Sequence, residues 1–315
     1  MDFELSDDQR AVVDAVLALC VRHAGPKRAV ELRNAGGGCD AALLEALAAG
    51  GYADIARQEG MGLLEATLVA EVVSRHAGVV PYGAQAIVAA GLTDQPLVGP
   101  VALAHDWDLG EPVRFAAHAR TLIFGDDDGV RLIPLAAGDA EPVRSDFGYP
   151  MGRLVSDFAG RGADLGAGAH ARLASLWRLA LAIEIVGAMD AALSTTVDYL
   201  KVRKQFGRTI GSFQAVQHRL AECKVLIEGA RWLAFEAAHK GAPAEGTATA
   251  AAYAAAAATR VARETHQLSG AIGFTREYDL HVWTLRLQAL SLELGGVSGH
   301  RRVLAALRWG LDTDS

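Results

Sequence analysis

What this sequence of 315 residues lacks excludes several large protein classes. Its three cysteines, Cys20, Cys39 and Cys223, are odd in number and far apart, so a disulfide framework is not indicated. No Cys-x-x-Cys pair or Cys/His cluster is present, and the sequence therefore predicts no metal site. Gly-x-Ser-x-Gly, the phosphate-binding loop and Gly-x-Gly-x-x-Gly after a strand are also absent, so no such motif names a reaction.

Long apolar runs and an excess of basic charge are missing as well. No stretch reaches the ~18 uncharged apolar residues that a membrane span needs, and the acidic first eight residues lack the apolar core of a signal peptide. The net charge is −7, and the 30 basic residues form no long run, which argues against a general nucleic-acid binder. These absences predict a soluble cytoplasmic protein with no membrane span and no nucleic-acid partner.

The hydrophobic pattern divides the chain into helical, β and helical parts. Residues 1–95 carry apolar side chains at helical spacing, and Ser6 and Gln9 have the spacing of a capping box. Residues 96–160 predict a small, shortened β domain, because short β-branched segments alternate with turns. Residues 168–315 predict an antiparallel bundle of helices. The predicted strands are residues 98–104, 113–117, 121–124, 130–134 and 141–144, with a hairpin turn at residues 126–129.

A buried carboxylate is predicted in the first bundle helix. Glu184 lies within a run that is apolar on more than one face, so its charge needs a partner such as Arg178 or a cation on another helix. Its alternative is a functional role. The tryptophans and the isolated histidines are expected to be structural: Trp177, Trp232 and Trp283 in the core, and His76, His105, His118, His266 and His300 on the surface or satisfied in the core.

Two stretches of the bundle have unusual composition. At residues 199–222 two long helical patterns meet, and the cations Arg203, Lys204 and Arg208 precede Phe213 and Gln214 in the first turn of the next helix. A helix start offers free N–H groups, so this junction suits an anionic ligand with a flat ring; its alternative is an exposed, charged connection. At residues 267–274 glycines break a helix and allow close backbone approach, or form an ordinary helix end with a contact from Phe274.

These motifs resemble those of the acyl-CoA dehydrogenase family. The resemblance rests on Asp2-Phe-Glu-Leu-Ser-Asp-Asp-Gln-Arg10, Arg203-x-x-Phe206-Gly207, Phe213-Gln214 and Gln267-x-x-Gly270-x-x-Gly273-Phe274, and on the helical, β, helical order. It implies an N-terminal helical domain, a central β domain and a C-terminal antiparallel four-helix bundle. It also implies FAD as cofactor and oxidation of the Cα–Cβ bond of an acyl-CoA thioester, with a carboxylate as base.

The resemblance further implies how this chain meets FAD. In the family the flavin ring lies on one subunit, and a neighbouring subunit holds the adenosine–pyrophosphate end. Arg203 would then meet the pyrophosphate. The residues expected at the adenosine side are Phe206, Phe213 and Gln214, with Gln267, Gly270 and Ala271 against the AMP portion.

The chain departs from the family where the catalytic base belongs. Leu294 occupies one known base position and Trp177 the other. Glu293 is one residue away from the first, which on a helix turns its side chain by about 100°. The family's flavin-ring segments are absent, and Leu285-Arg286 replaces the usual Arg-Asp pair.

The departures predict a short, degenerate subunit that resembles those of actinobacterial α2β2 acyl-CoA dehydrogenases. A homologous full-length partner would supply the catalytic glutamate, and the acyl group would be bulky, such as a steroid side chain. Two alternatives stay open: a self-sufficient dehydrogenase with Glu293 or Glu184 as displaced base, and a flavin-free structural or acyl-CoA-binding protein.

Overall fold

The predicted order of helical, β and helical parts is present in the structure, a computed structural model that describes residues 4–127, 129–158 and 160–310. The α-helices are α1 Asp7–His23, α2 Pro26–Asn34, α3 Ala41–Ala49, α4 Leu63–Arg75, α5 Ala90–Leu92, α6 Ala169–Val202, α7 Gln214–His239, α8 Ala244–Ser269, α9 Leu280–Leu290 and α10 Gly296–Trp309. A π-helical segment, Gly83–Ala89, leads into α5, and short 3-10 turns include Glu293–Gly295. The strands are β1 Val101–His105, β2 Pro112–Arg114, β3 Thr121–Asp126, β4 Gly129–Pro134, β5 Ala140–Val143, β6 Met151–Leu154, β7 Ala163–Asp164, β8 Lys204–Gln205 and β9 Arg208–Thr209.

The predicted capping box starts α1 and also ties it to α4. The Ser6 hydroxyl accepts a hydrogen bond from the backbone N–H of Gln9, and the Gln9 side chain accepts one from the backbone of Ser6. The Gln9 amide then donates to Glu65 at 2.9 Å, while the same carboxylate accepts from the backbone of Gly62. One local motif therefore sets both the start of α1 and its position against α4.

The β part consists of two small sheets. One has the order β1-β3-β4-β7, with β1 parallel to β3 and the other pairs antiparallel. The other is antiparallel with the order β2-β6-β5. The predicted hairpin joins β3 to β4, with Asp126 opposite Gly129, and Asp128 lies outside the described residues. The sequence prediction lacked β6 and β7, because neither has the β-branched run that marks a strand.

Both faces of the larger sheet are buried, and they serve different cores. Val101, Leu103 and Ile123 pack with the helices in the main hydrophobic core. Leu122 and Phe124 point to the other face and belong to a small separate core of the β part. The alternation of a strand's side chains therefore lets one sheet connect the bundle to the second sheet.

Helix α6 is the centre of the molecule. It is buried on nearly every side, as its apolar sequence predicts, and packs against α4, α7, α8 and α9. Gly187 lets α4 come close, since an added Cβ would lie 2.5 Å from the carbonyl oxygen of Glu71. The main core is continuous from α1 to α9, so the N-terminal helices and the bundle share it.

The described residues contain neither a membrane-spanning helix nor a cluster of metal ligands. No helix within residues 4–127, 129–158 and 160–310 has the length and apolar character needed to cross a membrane. Within the same described ranges no group of three or more histidine, cysteine, aspartate or glutamate side chains could hold a metal ion.

Candidate functional site

A buried cluster joins the two carboxylates that were candidate bases. Arg114, on β2, donates to Glu184 at 2.9 Å and forms two hydrogen bonds with Glu293. The Trp177 indole N–H donates to the second oxygen of Glu293 at 2.7 Å. Both oxygens of Glu293 are therefore engaged, one by the guanidinium and the other by the guanidinium and the indole.

The predicted pairing of Glu184 with Arg178 is wrong, although a cation from another element does pair with it. The partner is Arg114, and the Nε of Arg178 has no hydrogen-bond partner among the described residues. Sequence reasoning missed Arg114 because it lies 70 residues from Glu184 and 179 from Glu293, on a three-residue strand. No local pattern marks such a long-range partner.

Burial disfavours the charged forms of Glu184 and Arg114, and their attraction to each other opposes this effect. Burial raises the pKa of Glu184, and Arg114 acts in the opposite direction. Burial also disfavours the charged form of Arg114, but Glu293 and Glu184 outweigh it and raise the pKa of that guanidinium. A second buried cation, Arg286, donates to the carbonyls of Gly148 and Gly78 and completes a set of two guanidinium groups with two carboxylates.

The aromatic side chains around the cluster hold its geometry. The ring centroid of Tyr149 is 5.0 Å from the guanidinium carbon of Arg114 and 4.8 Å from that of Arg286. The imidazole of His105 stacks on Trp177 with a centroid separation of 5.3 Å. Burial lowers the pKa of His105 to about 4, so this ring is neutral at pH 7 and supports the indole without adding charge.

Trp177 and Leu294 stand at the two positions where the resemblance expects a base. Trp177 is buried, and its indole covers Glu293. Leu294 has φ +52°, a left-handed backbone conformation that a leucine adopts at an energetic cost. The neighbouring Glu293 turns toward Arg114 and Trp177.

Two cavities of very different volume adjoin the cluster. An open groove of about 610 Å³ lies in front of Glu293 and has Trp107, Phe147 and Leu292 on its walls. Behind the cluster, between Pro81, Ala84 and α6, the cavity measures about 20 Å³. Ligand pockets for small molecules usually measure ~300–1,000 Å³, so no acyl chain fits behind Trp177 in this chain.

The predicted anion site has a different character, because its charges are exposed and unpaired. Helix α6 ends at Val202, and the two-residue strands β8 and β9 form a hairpin before α7 begins. Arg208 lies over the ring of Phe213 at 3.9 Å, and the ring of Phe206 is 91% exposed. Within the described parts of the chain, no carboxylate forms an ion pair with Arg203, Lys204 or Arg208.

Residues 267–274, the other segment predicted to contact FAD, lie at the same end of the bundle as the hairpin. Arg219 on α7 pairs with Glu264 on α8, and Arg260 on α8 pairs with Glu222 on α7. This antiparallel register brings the start of α7, where Gln214 is exposed, level with the end of α8. Gln267, Gly270 and Ala271 are exposed there, and Gly270 ends α8 with a positive φ of 66°. Phe274, expected to make an apolar contact at this helix end, is 77% exposed beside His266.

Comparisons with known proteins identify the family. Residues 167–306 match the family described as acyl-CoA dehydrogenase, C-terminal domain. The structure also resembles the solved "Tcur3481-Tcur3483 steroid ACAD G363A variant", with a TM-score of 0.83 and 25% identity over 96% of this chain and 97% of that one. Residues 167–306 of this chain thus belong to the C-terminal domain of the acyl-CoA dehydrogenase family, and the chain has the fold of that similar structure. The predicted family and fold class are thus confirmed.

Two further relatives extend this comparison. The ChsE4-ChsE5 complex from Mycobacterium tuberculosis has a TM-score of 0.80 and 24% identity, covering 99% of this chain and 100% of that one, and shows the shared fold. Acyl-CoA dehydrogenase IpdE2 from Mycobacterium tuberculosis is 44% identical over 106 residues, 34% of this chain and 33% of the relative. The match therefore spans about a third of that curated relative's length.

FAD is the cofactor of acyl-CoA dehydrogenases, and the described residues fit one end of it. The hairpin offers exposed guanidinium groups, the exposed ring of Phe206 and the half-buried ring of Phe213, groups that suit a pyrophosphate and an adenine. The other end fits less well, because Glu293 is held by Arg114 and Trp177 and the cavity behind them measures about 20 Å³. The assignment of individual residues to FAD stays a prediction.

Proposed function

We propose that this chain is a non-catalytic subunit of an FAD-dependent acyl-CoA dehydrogenase. A homologous partner subunit would carry the flavin ring and the catalytic glutamate. The reaction is the α,β-dehydrogenation of an acyl-CoA thioester. The observation that carries the proposal is the state of Glu293, whose two oxygens are held by Arg114 and Trp177.

A carboxylate in this state is poorly suited to remove a proton. Its two oxygens accept three hydrogen bonds from the guanidinium and the indole, so a substrate C–H would compete with these donors for the carboxylate. Burial raises the pKa of Glu184, which is the direction that a general base needs, but Glu184 is paired with Arg114 beside a cavity of about 20 Å³. These contacts argue against the self-sufficient dehydrogenase.

The exposed hairpin supports a role toward a cofactor bound on another chain. When bound, FAD accepts the hydride from the β carbon of the substrate. In this chain Arg203 would pair with the pyrophosphate, because a guanidinium binds phosphate oxygens in a bidentate manner. The remaining predicted contacts, at the adenosine side, are Phe206, Phe213, Gln214, Gln267, Gly270 and Ala271. Together they would orient one end of FAD and leave the proton transfer to the partner.

The similar solved structures support a heteromeric assembly and a bulky substrate. One is named a steroid ACAD, and the other is a complex of ChsE4 with ChsE5. We extend both properties to this chain as a proposal: an α2β2 heterotetramer that acts on a steroid side chain or another bulky acyl group.

The proposal is tested by comparing the chain alone with its complex. The chain purified alone should show no flavin absorbance near 450 nm and no acyl-CoA oxidation, whereas the complex with a homologous subunit should show both. Stoichiometric flavin and turnover in the isolated chain would refute the division of labour.

Substitutions in the complex then separate the two proposed roles. Arg203→Ala should weaken FAD binding about tenfold or more, since a hydrogen bond to a charged group contributes ~1.5–3 kcal/mol. Glu293→Gln should leave turnover within about twofold of the unsubstituted complex, because a base loss would cost far more. A large fall in kcat for Glu293→Gln, with FAD binding intact, would instead make Glu293 the base.

A further inference from the structure

A second interdomain cavity lies on the far side of the segment that walls the Glu293 groove. It measures about 580 Å³, and residues 143–146 line both spaces. Its other walls are the end of α2, the glycine loop at residues 36–38 and Arg276, between α8 and α9. The volume is within the ~300–1,000 Å³ of typical ligand pockets.

Three guanidinium groups line this cavity with one carboxylate. Arg33 comes from α2, Arg144 follows β5, and Arg276 precedes α9. Asp146 pairs with Arg276 at 2.9 Å. Across residues 4–127, 129–158 and 160–310, no carboxylate forms an ion pair with Arg33 or Arg144. The lining therefore carries a net charge of +2 in a protein whose overall charge is −7.

Two of these three positive charges have no carboxylate partner in the described part of the chain. Burial lowers the pKa of Arg33, and the nearby positive charge of Arg276 lowers it further. The hydrogen bond and charge of Arg276, together with the charges of Arg144 and Arg33, hold the pKa of the Asp146 carboxyl below its usual range. One carboxylate neutralises one of the three cations, so two positive charges remain for an external anion.

We propose that this cavity binds a phosphate monoester that carries an apolar stem. A phosphate dianion matches the net charge of +2, and arginine forks bind its oxygens in a bidentate manner. Asn34 and Ser145 add polar groups at the lining. The apolar part of the wall comes from Leu32, Val79, Tyr149, Pro150 and Met151. This site is separate from the exposed hairpin at Arg203 and does not depend on the FAD proposal.

Asp146 gives the proposal an unusual test, because it competes with the ligand. Its carboxylate occupies Arg276 and repels an incoming anion. Asp146→Asn should therefore tighten binding, whereas removal of an arginine should weaken it. A gain of affinity is a result that a misfolded variant does not produce.

The experiment is isothermal titration calorimetry on the full chain with hexyl phosphate, inorganic phosphate and coenzyme A. We expect hexyl phosphate to bind more tightly than inorganic phosphate. Arg33→Ala and Arg144→Ala should each weaken hexyl phosphate about tenfold, as expected for loss of a charge-assisted contact. Asp146→Asn should tighten it about threefold or more by removing a competing charge. Tighter binding of coenzyme A than of hexyl phosphate would identify a nucleotide source, and the reverse order a lipid-like one.

Two control variants make the result specific. Arg302→Ala removes an exposed arginine of α10 that does not line the cavity and should leave binding unchanged. Arg203→Ala should also leave it unchanged, which separates this site from the hairpin. Absence of hexyl phosphate binding would overturn the proposal, as would binding that survives Arg33→Ala and Arg144→Ala or is lost in Arg203→Ala. None of these outcomes depends on whether a partner subunit binds FAD.

Discussion

At the scale of single residues, Arg114 controls two acids that the sequence offers as possible bases. Its guanidinium lies between Glu184 and Glu293 and contacts both. A buried ion pair adds little to stability compared with a well-packed apolar substitute, but removing one partner leaves a charge uncompensated. Arg114 therefore matters less as a source of stability than as the group that fixes where both carboxylates point.

Replacement of Arg114 should make stability depend on pH. Arg114→Gln leaves Glu184 and Glu293 facing each other, and the breakage of such a buried pair typically costs ~3–5 kcal/mol. Burial already raises the pKa of Glu184 above its ordinary value, and loss of Arg114 raises it further. The folded state then binds more protons than the unfolded state, so the free energy of unfolding falls as pH rises above about 4.5.

Urea denaturation between pH 5 and pH 8 measures this effect. The variant should lose stability with rising pH more steeply than the unsubstituted protein. Arg153→Gln is a matched control. Arg153 lies on β6, the strand paired with β2, and its guanidinium donates an exposed hydrogen bond to the carbonyl oxygen of Gly110. Equal pH slopes in Arg114→Gln and the unsubstituted protein would contradict the proposed charge balance.

At the scale of elements, the hairpin before α7 has a turn residue that its backbone does not favour. Phe206 and Gly207 form the two-residue turn, and both have positive φ, +55° and +80°. Such turns prefer Asn-Gly, and a phenylalanine there is strained. The strain, together with 91% exposure of the ring, fits a side chain retained for a ligand.

Phe206→Asn should separate the turn from the ligand contact. Asparagine tolerates the left-handed conformation, so the free energy of unfolding should stay equal or rise slightly. Loss of ring stacking should weaken FAD binding by the complex about fivefold or more, since stacking of a base on an aromatic ring contributes ~1–3 kcal/mol. Val225→Asn, at another exposed apolar residue of α7, should change neither quantity. Unchanged FAD affinity in Phe206→Asn would remove the ring from the site.

Two helical glycines provide a second test at this scale. An added Cβ at Gly187 would meet the backbone of α4, whereas at Gly229 it would meet the hydroxyl end of Tyr253, a half-exposed side chain that can move. Gly187→Ala should therefore destabilise the protein by about 1–3 kcal/mol despite the better helix propensity of alanine. Gly229→Ala should be neutral or stabilise by up to about 1 kcal/mol. Thermal unfolding of both variants checks the contrast, and equal effects would contradict the close approach of α4 and α6.

At the scale of the whole molecule, buried ion pairs cross between the N-terminal helices and the bundle. Arg231 on α7 donates to Glu71 on α4 at 2.8 Å, and Asp190 on α6 pairs with Arg75 on α4 at 3.0 Å. The same two parts share one hydrophobic core. The N-terminal helices and the bundle are therefore joined by both charged and apolar contacts.

This shared core predicts that the two helical parts unfold together. Far-UV circular dichroism and tryptophan fluorescence should give the same urea midpoint. Arg231→Met should shift both midpoints equally, while Lys201→Met, at an exposed pair on α6, should shift neither. Two separate transitions would show that the N-terminal helices fold independently.

The sequence by itself determined what depends on neighbours along the chain. The helical, β and helical order, the capping box at Ser6 and the cationic, aromatic turn at Arg203 follow from spacing and local geometry. The family also followed from such motifs. The sequence did not predict strands β6 and β7. Strand β6 pairs with β2 and β5, and β7 pairs with β4, through long-range contacts that depend little on the composition of the two strands.

The tertiary structure decided what Glu293 can do. The sequence placed it one residue from a base position, but its partners Arg114 and Trp177 are 179 and 116 residues away. The tertiary structure also places Arg33, Arg144 and Arg276 around one cavity, although α2, β5 and the start of α9 are far apart along the chain. Charges act through space and dielectric, so their effects appear only when the fold sets the distances between them.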